Sequence, residues 1–209
     1  MIEKPKIPVN KRRYNMDKDK SIKEVERTLS RGSNFKIESK DFNKCVDHII
    51  QLVKDSFMLF QMKSFSTSLF LSIAVIEEVG KIHVGLFTTR KNEVKKDPLR
   101  DHKRKQIMGS NYTISMGERL VNAIGMKRLE EIYSMSYSGQ LKDLREKAIY
   151  CDYEDGSLMI PHECIDKQFS KDILLFAIES FDDNLVGYTK YSIERSKITD
   201  EIFESLLID

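Results

Sequence analysis

Hydrophobic residues recur at steps of three and four along most of the chain, and this spacing predicts amphipathic helices. The first clear stripe follows Asp41, which suits the N-cap position of a helix. Its apolar members are Phe42, Val46, Ile49, Ile50, Val53, Phe57 and Phe60. The first half of the chain therefore contains a long helix with one buried face.

The segment from Phe65 to about Phe87 is apolar on nearly every face as far as Ile76. A helix with that composition must be surrounded by other helices. Its uncharged run, Ser64 to Ile76, has 13 residues, whereas a membrane span needs roughly 20. The pattern predicts a buried core helix, with no membrane association.

Shorter elements follow and precede these two helices. We expect a third, short helix with Asp97 as its cap and Pro98 at its first position. Further helical stripes cover 117–135 with a possible break at Gly125, 140–150, and about 162–191. Glu154 to Ser157 is a turn, and short helices are expected at 21–31, ended by Gly32, and at 200–207. The predicted fold is an all-α helical bundle with short additional helices: a basic, partly flexible N-terminal arm (1–40) and a single domain (41–209).

The amino-acid composition narrows the classes of fold and of site that the chain can contain. The chain has 209 residues with only 9 Gly and 4 Pro, which favours regular helices over turn-rich β folds. Its three cysteines are widely spaced and form no CxxC pair, so we expect neither a disulfide scaffold nor a metal site. The first residues lack the apolar stretch of a signal peptide, which predicts a cytoplasmic protein.

The formal net charge of +2 conceals an uneven distribution. Residues 1–40 carry 12 basic and 6 acidic groups, and residues 81–105 carry 9 and 3, so each block has a net charge of +6. Residues 150–209 carry 5 basic and 14 acidic groups, a net charge of −9. Such asymmetry indicates a surface that faces a polyanion, although solvated helix faces would give the same count.

The first candidate site is the run Glu77-Glu78-Val79-Gly80-Lys81, which closes the most apolar helix. Burying its charges would be costly unless they are paired. Glu77 and Lys81 are four residues apart and share a helix face, and Gly80 allows another backbone to approach. The alternative is an ordinary Glu77–Lys81 ion pair where the helix reaches water.

The second candidate combines Arg100, His102, Lys103, Arg104 and Lys105. Histidine can exchange a proton near neutral pH, and lysine and arginine can stabilise the charge of a phosphoryl-transfer transition state. These are the residue types that phosphodiester cleavage needs. The alternative is a solvated basic helix face with an incidental histidine.

The third candidate is the pair Arg145 and Tyr150, whose hydroxyl could bond a phosphate or simply be satisfied at the edge of the core. The three candidates occur in one order: Ile-Glu-Glu-Val-Gly-Lys (76–81), His-Lys-Arg-Lys (102–105), then Leu-Arg-Glu-Lys-Ala-Ile-Tyr-Cys-Asp (144–152), with Pro161 beyond. From about residue 41 to 195, this series resembles the AbiV-type abortive infection proteins, a phage-defence branch of the HEPN superfamily.

The resemblance implies a HEPN helical bundle, usually a homodimer, that acts as a metal-independent ribonuclease without a cofactor. It also implies arrest of translation in infected bacteria and interaction with a phage-encoded activator protein. The HEPN signature places a His about four to six residues after an Arg, and none of the histidines here has such an Arg before it. Arg145 and Tyr150 have the spacing, with Tyr in place of His.

Two interpretations follow from that difference. Either the site is rebuilt with His102 as general base or acid, or cleavage is lost and a module that binds RNA, the ribosome or a phage protein remains. In the first, Arg100, Lys103, Lys105 and Arg145 bind phosphate, Tyr150 orients it, and Glu77 and Glu78 position Lys81 and the His102 helix. Arg90, Lys95, Lys96, Lys103 and Arg104 are further candidate RNA-binding residues. A helical interaction protein with no nucleic-acid role is the third possibility.

Overall fold

The chain is described by a computed structural model that covers residues 18–88, 94–111 and 118–208. It is all-α apart from one short hairpin, which confirms the predicted fold class. The helices are α1 (Lys18–Arg31), α2 (Ser39–Gln61), α3 (Phe65–Phe87), α4 (His102–Ser110), α5 (Glu118–Ile124), α6 (Met126–Ser138), α7 (Gln140–Lys147), α8 (Pro161–Cys164), α9 (Lys167–Leu185) and α10 (Lys190–Ile208). The hairpin strands are β1 (Asp152–Glu154) and β2 (Ser157–Met159).

Helix α3 is the centre of the bundle. Helices α2, α4 and α9 pack along it, and α7 and α8 contact it more briefly. Side chains such as Leu69, Ile73, Val75, Ile76 and Val79 are fully buried. This explains why the segment is apolar on nearly all faces, and its bounds are those that the sequence predicts.

Helix α2 packs on α3 through the predicted stripe, with the side chains of Val46, Ile49 and Val53 fully buried. The helix begins at Ser39, however, and Asp41 is not its cap. The carboxylate of Asp41 lies inside the first turn and pairs with Lys44 at 2.7 Å. The N-cap prediction for Asp41 was therefore wrong by about one turn.

The predicted helix break at Gly125 and the predicted turn from Glu154 to Ser157 are both confirmed. Gly125 separates α5 from α6 with a positive φ of 80°, which glycine adopts without strain because it has no Cβ. Asp155 and Gly156 form the hairpin turn, also with positive φ values of 51° and 79°. The register pairs Tyr153 with Leu158.

The C-terminal elements differ from the prediction. The expected helix at 162–191 is divided into α8 and α9, because the Asp166 side chain accepts a hydrogen bond from Phe169 N at 2.7 Å and starts a new helix. The last helix begins at Lys190 rather than Asp200. Its first turns bury Ser192, Ser196 and Thr199, small polar residues that a search for large apolar side chains overlooks.

Helix α1 belongs to the packed structure. Val25 of α1 is buried against Val84, Leu99 and Met108, so α1 lies over the α3–α4 pair. Residues 1–17 of the basic arm lie outside the described residues. In the described ranges, no helix combines the length and the apolar character required to cross a bilayer.

Candidate active site

Helices α3 and α4 approach until their backbones touch, and two glycines allow this. A Cβ atom on Gly80 would overlap the carbonyl oxygen of Lys105 and lie 2.7 Å from Gly109 N. A Cβ atom on Gly109 would overlap the carbonyl oxygen of Ile76. The prediction that Gly80 admits another backbone is confirmed. The close crossing sets the start of α4 beside the charged end of α3.

The start of α4 is fixed by two aspartates. Asp97 accepts a hydrogen bond from Leu99 N at 2.9 Å and caps a single 3₁₀ turn, Pro98–Arg100. Asp101 then accepts from Lys103 N at 3.0 Å, and α4 begins at His102. The expected single helix is thus broken at Asp101, whose extended backbone cannot continue the turn. As a result His102 is the first residue of α4.

Glu77 of α3 is the hub of the site. Its side chain is only 4% exposed, and three residues of α4 reach it. Its Oε2 is 2.7 Å from His102 Nδ1 and 3.4 Å from Lys105 Nζ. Its Oε1 accepts a hydrogen bond from Gln106 Nε2 at 2.8 Å. The fourth partner, Arg145 of α7, places its Nε 3.7 Å from Glu77 Oε1. A buried carboxylate is stable only with such compensation.

The Glu77–His102 contact orients the imidazole. Because a carboxylate oxygen can only accept, Nδ1 of His102 donates, and Nε2 is left for another partner. The His102 side chain is 37% exposed, against 12% for Lys105 and 24% for Arg145. His102 is therefore the member of the cluster that solvent reaches best. An imidazole held in this way by a carboxylate is a familiar arrangement for acid–base chemistry.

The cluster has a surplus of positive charge, because Lys105 and Arg145 share the single carboxylate of Glu77. The Arg145 guanidinium also lies over the Phe70 ring, 4.7 Å from its centroid, which keeps it in place. Two buried polar atoms beside Glu77, Arg145 Nε and Gln106 Oε1, have no hydrogen-bond partner in the described structure. An anion that reached the cluster would meet uncompensated charge.

Other predicted residues of this run lie elsewhere. Lys81 pairs with Glu78, at 3.0 Å, and its Nζ lies 4.6 Å from the centroid of the Phe35 ring. The alternative interpretation, a Glu77–Lys81 ion pair, was therefore wrong, because Glu77 contacts His102 of α4 instead. Glu78 and Lys81 thus stabilise the neighbouring face of α3 and have no described contact with His102.

The remaining candidates have no described contact with the Glu77 cluster. Tyr150 is 69% exposed, just beyond α7, and Arg100 is exposed in the 3₁₀ turn before α4. Lys103 is half-buried on α4, and Lys95 and Lys96 are exposed before Asp97. Arg104, on the side of α4 that faces α1, is 3.4 Å from Glu24. Arg90 lies outside the described residues.

A second charged cluster escapes the sequence patterns. Arg119 of α5 is hydrogen-bonded to Glu179 (2.9 Å) and Asp182 (2.6 Å) of α9 and to Asp200 (2.5 Å) of α10. Its guanidinium also lies 4.2 Å from the centroid of the Phe203 ring. Along the sequence, this cluster is indicated only by the opposite charges of Arg119 and of the acidic last third of the chain. This cluster joins three helices.

Burial has the largest effect on the pKa values of the aspartates in and beside that cluster. It raises the pKa of Asp182 to about 7; the Arg119 charge opposes this shift, and the charges of Asp200 and Glu179 add to it. The pKa of the adjacent Asp183 is raised to about 6, again chiefly by burial. Buried Oδ atoms of both aspartates lack a hydrogen-bond partner in the described structure, which disfavours their charged forms.

One of the comparisons with known proteins identifies a family. The family model described as AbiV, of the HEPN group, matches residues 40–181, about two thirds of the chain. The match spans α2 to α8 and most of α9, and so includes Glu77, His102 and Arg145. No curated protein and no solved structure gave a match.

Proposed function

The chain belongs to the AbiV family and is an abortive-infection protein of the HEPN type, and on that premise we propose that it is an antiphage effector that arrests translation by cleaving RNA. The proposed site is the Glu77 cluster, made of Glu77, His102, Lys105 and Arg145. The observation that carries the proposal is the 2.7 Å contact between Glu77 Oε2 and His102 Nδ1. It supplies an oriented imidazole beside two cations.

In the proposed reaction, Nε2 of His102 accepts the proton of an RNA 2′-hydroxyl. The 2′-oxygen then attacks the adjacent phosphorus, and the bond from phosphorus to the 5′-oxygen of the next nucleotide breaks. The leaving oxygen takes a proton from the imidazolium or from water. The products are a 2′,3′-cyclic phosphate and a 5′-hydroxyl, so the atoms and protons balance and no metal is needed.

Lys105 and Arg145 stabilise the charge that develops on the phosphoryl oxygens, since Glu77 neutralises only one of the two cations. Glu77 is a positioning residue: it holds the tautomer of His102 and the place of both cations. The side chains of Tyr150 and Arg100 are exposed and that of Lys103 is half-buried, and we expect all three to contact the same RNA strand. We expect the activity to be cytoplasmic and to be carried by a homodimer. We expect the purified protein to have a basal rate of cleavage, which a phage-encoded protein raises in infected cells and so triggers arrest.

Incubation of the purified protein with total RNA and with ribosomes, in the presence of a chelator, tests this proposal. We expect wild-type protein to cut RNA and His102→Ala to leave it intact. His48→Ala is the matched control, because His48 is an exposed histidine on α2. Equal RNA patterns from wild type and His102→Ala would contradict the catalytic assignment.

A second function is favoured by the low exposure of Lys105 and by the absence of an Arg at HEPN spacing before His102. A non-catalytic module would bind RNA or the ribosome, or a phage protein, through the same basic surface and block translation. Translation inhibited in a cell-free system, with ribosomal and transfer RNA remaining intact, would support this alternative.

A further inference from the structure

A second basic feature lies on the other side of α4. A small cleft between α1 and α4 is lined by Glu24, Arg27, Thr28, Arg31 and Arg104. Three of these five residues are arginines, and two of them come from α1, a helix that the Glu77 cluster does not involve. The AbiV match begins at residue 40 and so does not include α1.

The cleft is held by packing, and its charges are only partly paired. Val25 and Thr28, on the inner face of α1, are buried. Glu24 Oε1 is 3.4 Å from Arg104 Nε, and Glu24 Oε2 is 4.0 Å from Arg27 NH1. Arg104 Nε is also 3.9 Å from Asp101 Oδ2. Three guanidinium groups thus face two carboxylates, and the Arg27 side chain remains 75% exposed.

The position of the cleft relates it to the proposed active site. His102 and Arg104 both lie in the first turn of α4, but two residues apart on a helix, so they point to opposite sides. The Glu77 cluster lies on one side of that turn and the arginine cleft on the other. A strand that crosses the N-terminal end of α4 would contact both, and the positive end of the helix dipole favours a polyanion there.

The lining chemistry points to a phosphate group of a polynucleotide. Arginine forms paired hydrogen bonds with phosphate oxygens. The described residues that line the cleft include no aromatic ring on which a base could stack, so contacts to the backbone rather than to bases are expected. We propose that Arg27, Arg31 and Arg104 bind a backbone phosphate of the RNA whose scissile bond lies at His102. This inference rests on the proposed function for its ligand.

Glu24 occupies part of the cleft in the unbound protein. Its carboxylate contacts the arginines as a phosphate oxygen would, and it must be displaced or shared when RNA binds. Removing its charge therefore strengthens binding. Glu26 provides a matched control, since it lies on the same helix, is exposed, and is not part of the cleft lining.

The test measures binding of a fluorescent 2′-O-methyl RNA, which the proposed reaction cannot cut, to the full chain over a range of salt concentrations. Arg27→Gln/Arg31→Gln should bind roughly tenfold more weakly, with a salt slope lower by about 0.7 for each lost contact. Glutamine preserves the helix propensity of α1. Lys190→Gln/Lys197→Gln removes the same charge from exposed positions on α10 and should change affinity much less. Glu24→Gln should bind more tightly than Glu26→Gln.

Each outcome of this experiment either supports the cleft proposal or contradicts it. Equal affinities for the two double variants would overturn the cleft proposal, and RNA cleavage by wild type would then still support the proposed function. Weaker binding by the α1 variant, with no RNA cleavage by wild type, would support the cleft and refute catalysis. If a mononucleotide displaced the RNA at equal phosphate concentration, the cleft would be a nucleotide site and the proposal wrong. If wild type failed to bind RNA at low salt, both the cleft proposal and the RNA-directed function would fall.

Discussion

Glu77 has a structural role and a proposed functional role that share the same contacts. An isolated buried carboxylate is unstable by several kcal/mol, so its partners are obligatory. Those partners come from α4 and α7, which brings His102, Lys105 and Arg145 to one point on α3. The residue that holds three helices together is therefore also the residue that orients the proposed base.

Replacing Glu77 by Gln should destabilise the fold more than replacing its neighbour Glu78. The Glu77→Gln variant leaves Lys105 and Arg145 without a counter-charge in a mostly buried site, at an expected cost of about 2–4 kcal/mol. Glu78 and Lys81 are part-exposed, and loss of that pair should cost less than about 1 kcal/mol. Urea unfolding of both variants measures the difference. Equal free energies of unfolding would contradict the central place given to Glu77.

The sequence identified the residue types of this site but not all the pairings. His102, Lys105, Glu77 and Arg145 could be selected because their chemistry suits phosphodiester cleavage. Whether Glu77 or Glu78 pairs with Lys81 depends on the rotation of α3 against α4, which local spacing does not specify. Gln106 gave even less signal, because a buried amide on a basic helix has no distinctive pattern.

The α3–α4 crossing is the element-scale feature that makes the site possible. Gly80 touches backbone atoms of α4, which cannot move aside. A Cβ on Gly85 would meet the side chains of Phe35 and Ile37, at 2.9 Å and 3.1 Å, and these can adjust. The two glycines therefore differ in what a substitution must displace.

Gly80→Ala should accordingly destabilise the protein by about 3 kcal/mol or more, and Gly85→Ala by about 1 kcal/mol. Thermal unfolding followed by circular dichroism measures both. The same Gly80→Ala change should shift α4 away from α3 and so weaken the His102–Glu77 contact. A Gly80→Ala protein as stable as wild type would show that the backbones of α3 and α4 are not in contact at Gly80.

The Arg119 cluster predicts how stability depends on pH. The pKa of Asp182 is raised to about 7 in the folded protein, from about 3.9 in an unfolded chain. The folded state therefore binds a proton that the unfolded state releases, so this contribution to stability is present below about pH 4 and is lost as pH rises through 7. Asp182→Asn removes the ionisation and keeps a polar side chain beside Arg119.

The free energy of unfolding of Asp182→Asn, relative to wild type, should thus increase by at least about 1 kcal/mol between pH 5 and pH 8. Denaturant titrations at several pH values give this difference. Asp143→Asn, at an exposed position on α7, serves as the control and should show no such trend. A difference for Asp182→Asn that stays constant with pH would mean that the carboxyl is ionised throughout.

Elements with large apolar residues were predictable, and those that bury small polar residues were not. The bounds of α3 follow from its composition, and the break at Gly125 follows from the absence of a Cβ. The first half of α10 was missed because Ser192, Ser196 and Thr199 fill its inner face. Side chains of that size pack closely between helices, yet they carry no hydrophobic signal along the sequence.

At the scale of the whole molecule, the acidic and the basic segments of the chain form different ion pairs. Carboxylates of the acidic last third, including Asp172, Glu179 and Asp182, pair with Arg128 and Arg119 inside the bundle. The described ion pairs of the basic residues of α4 are with Glu77, Glu24 and Asp101, none of which belongs to that acidic third. A net charge of +2 is thus compatible with a locally basic surface at the start of α4.

The central claim is that His102, oriented by Glu77, cleaves RNA through the 2′-hydroxyl. The most direct measurement compares cleavage of one RNA with cleavage of its 2′-O-methyl copy, and identifies the new ends by mass spectrometry. Wild type should cut only the unmodified RNA and leave 2′,3′-cyclic phosphate ends, whereas His102→Ala should cut neither. Cleavage of the 2′-O-methyl copy, or cleavage of the RNA by His102→Ala at the wild-type rate, would contradict the account.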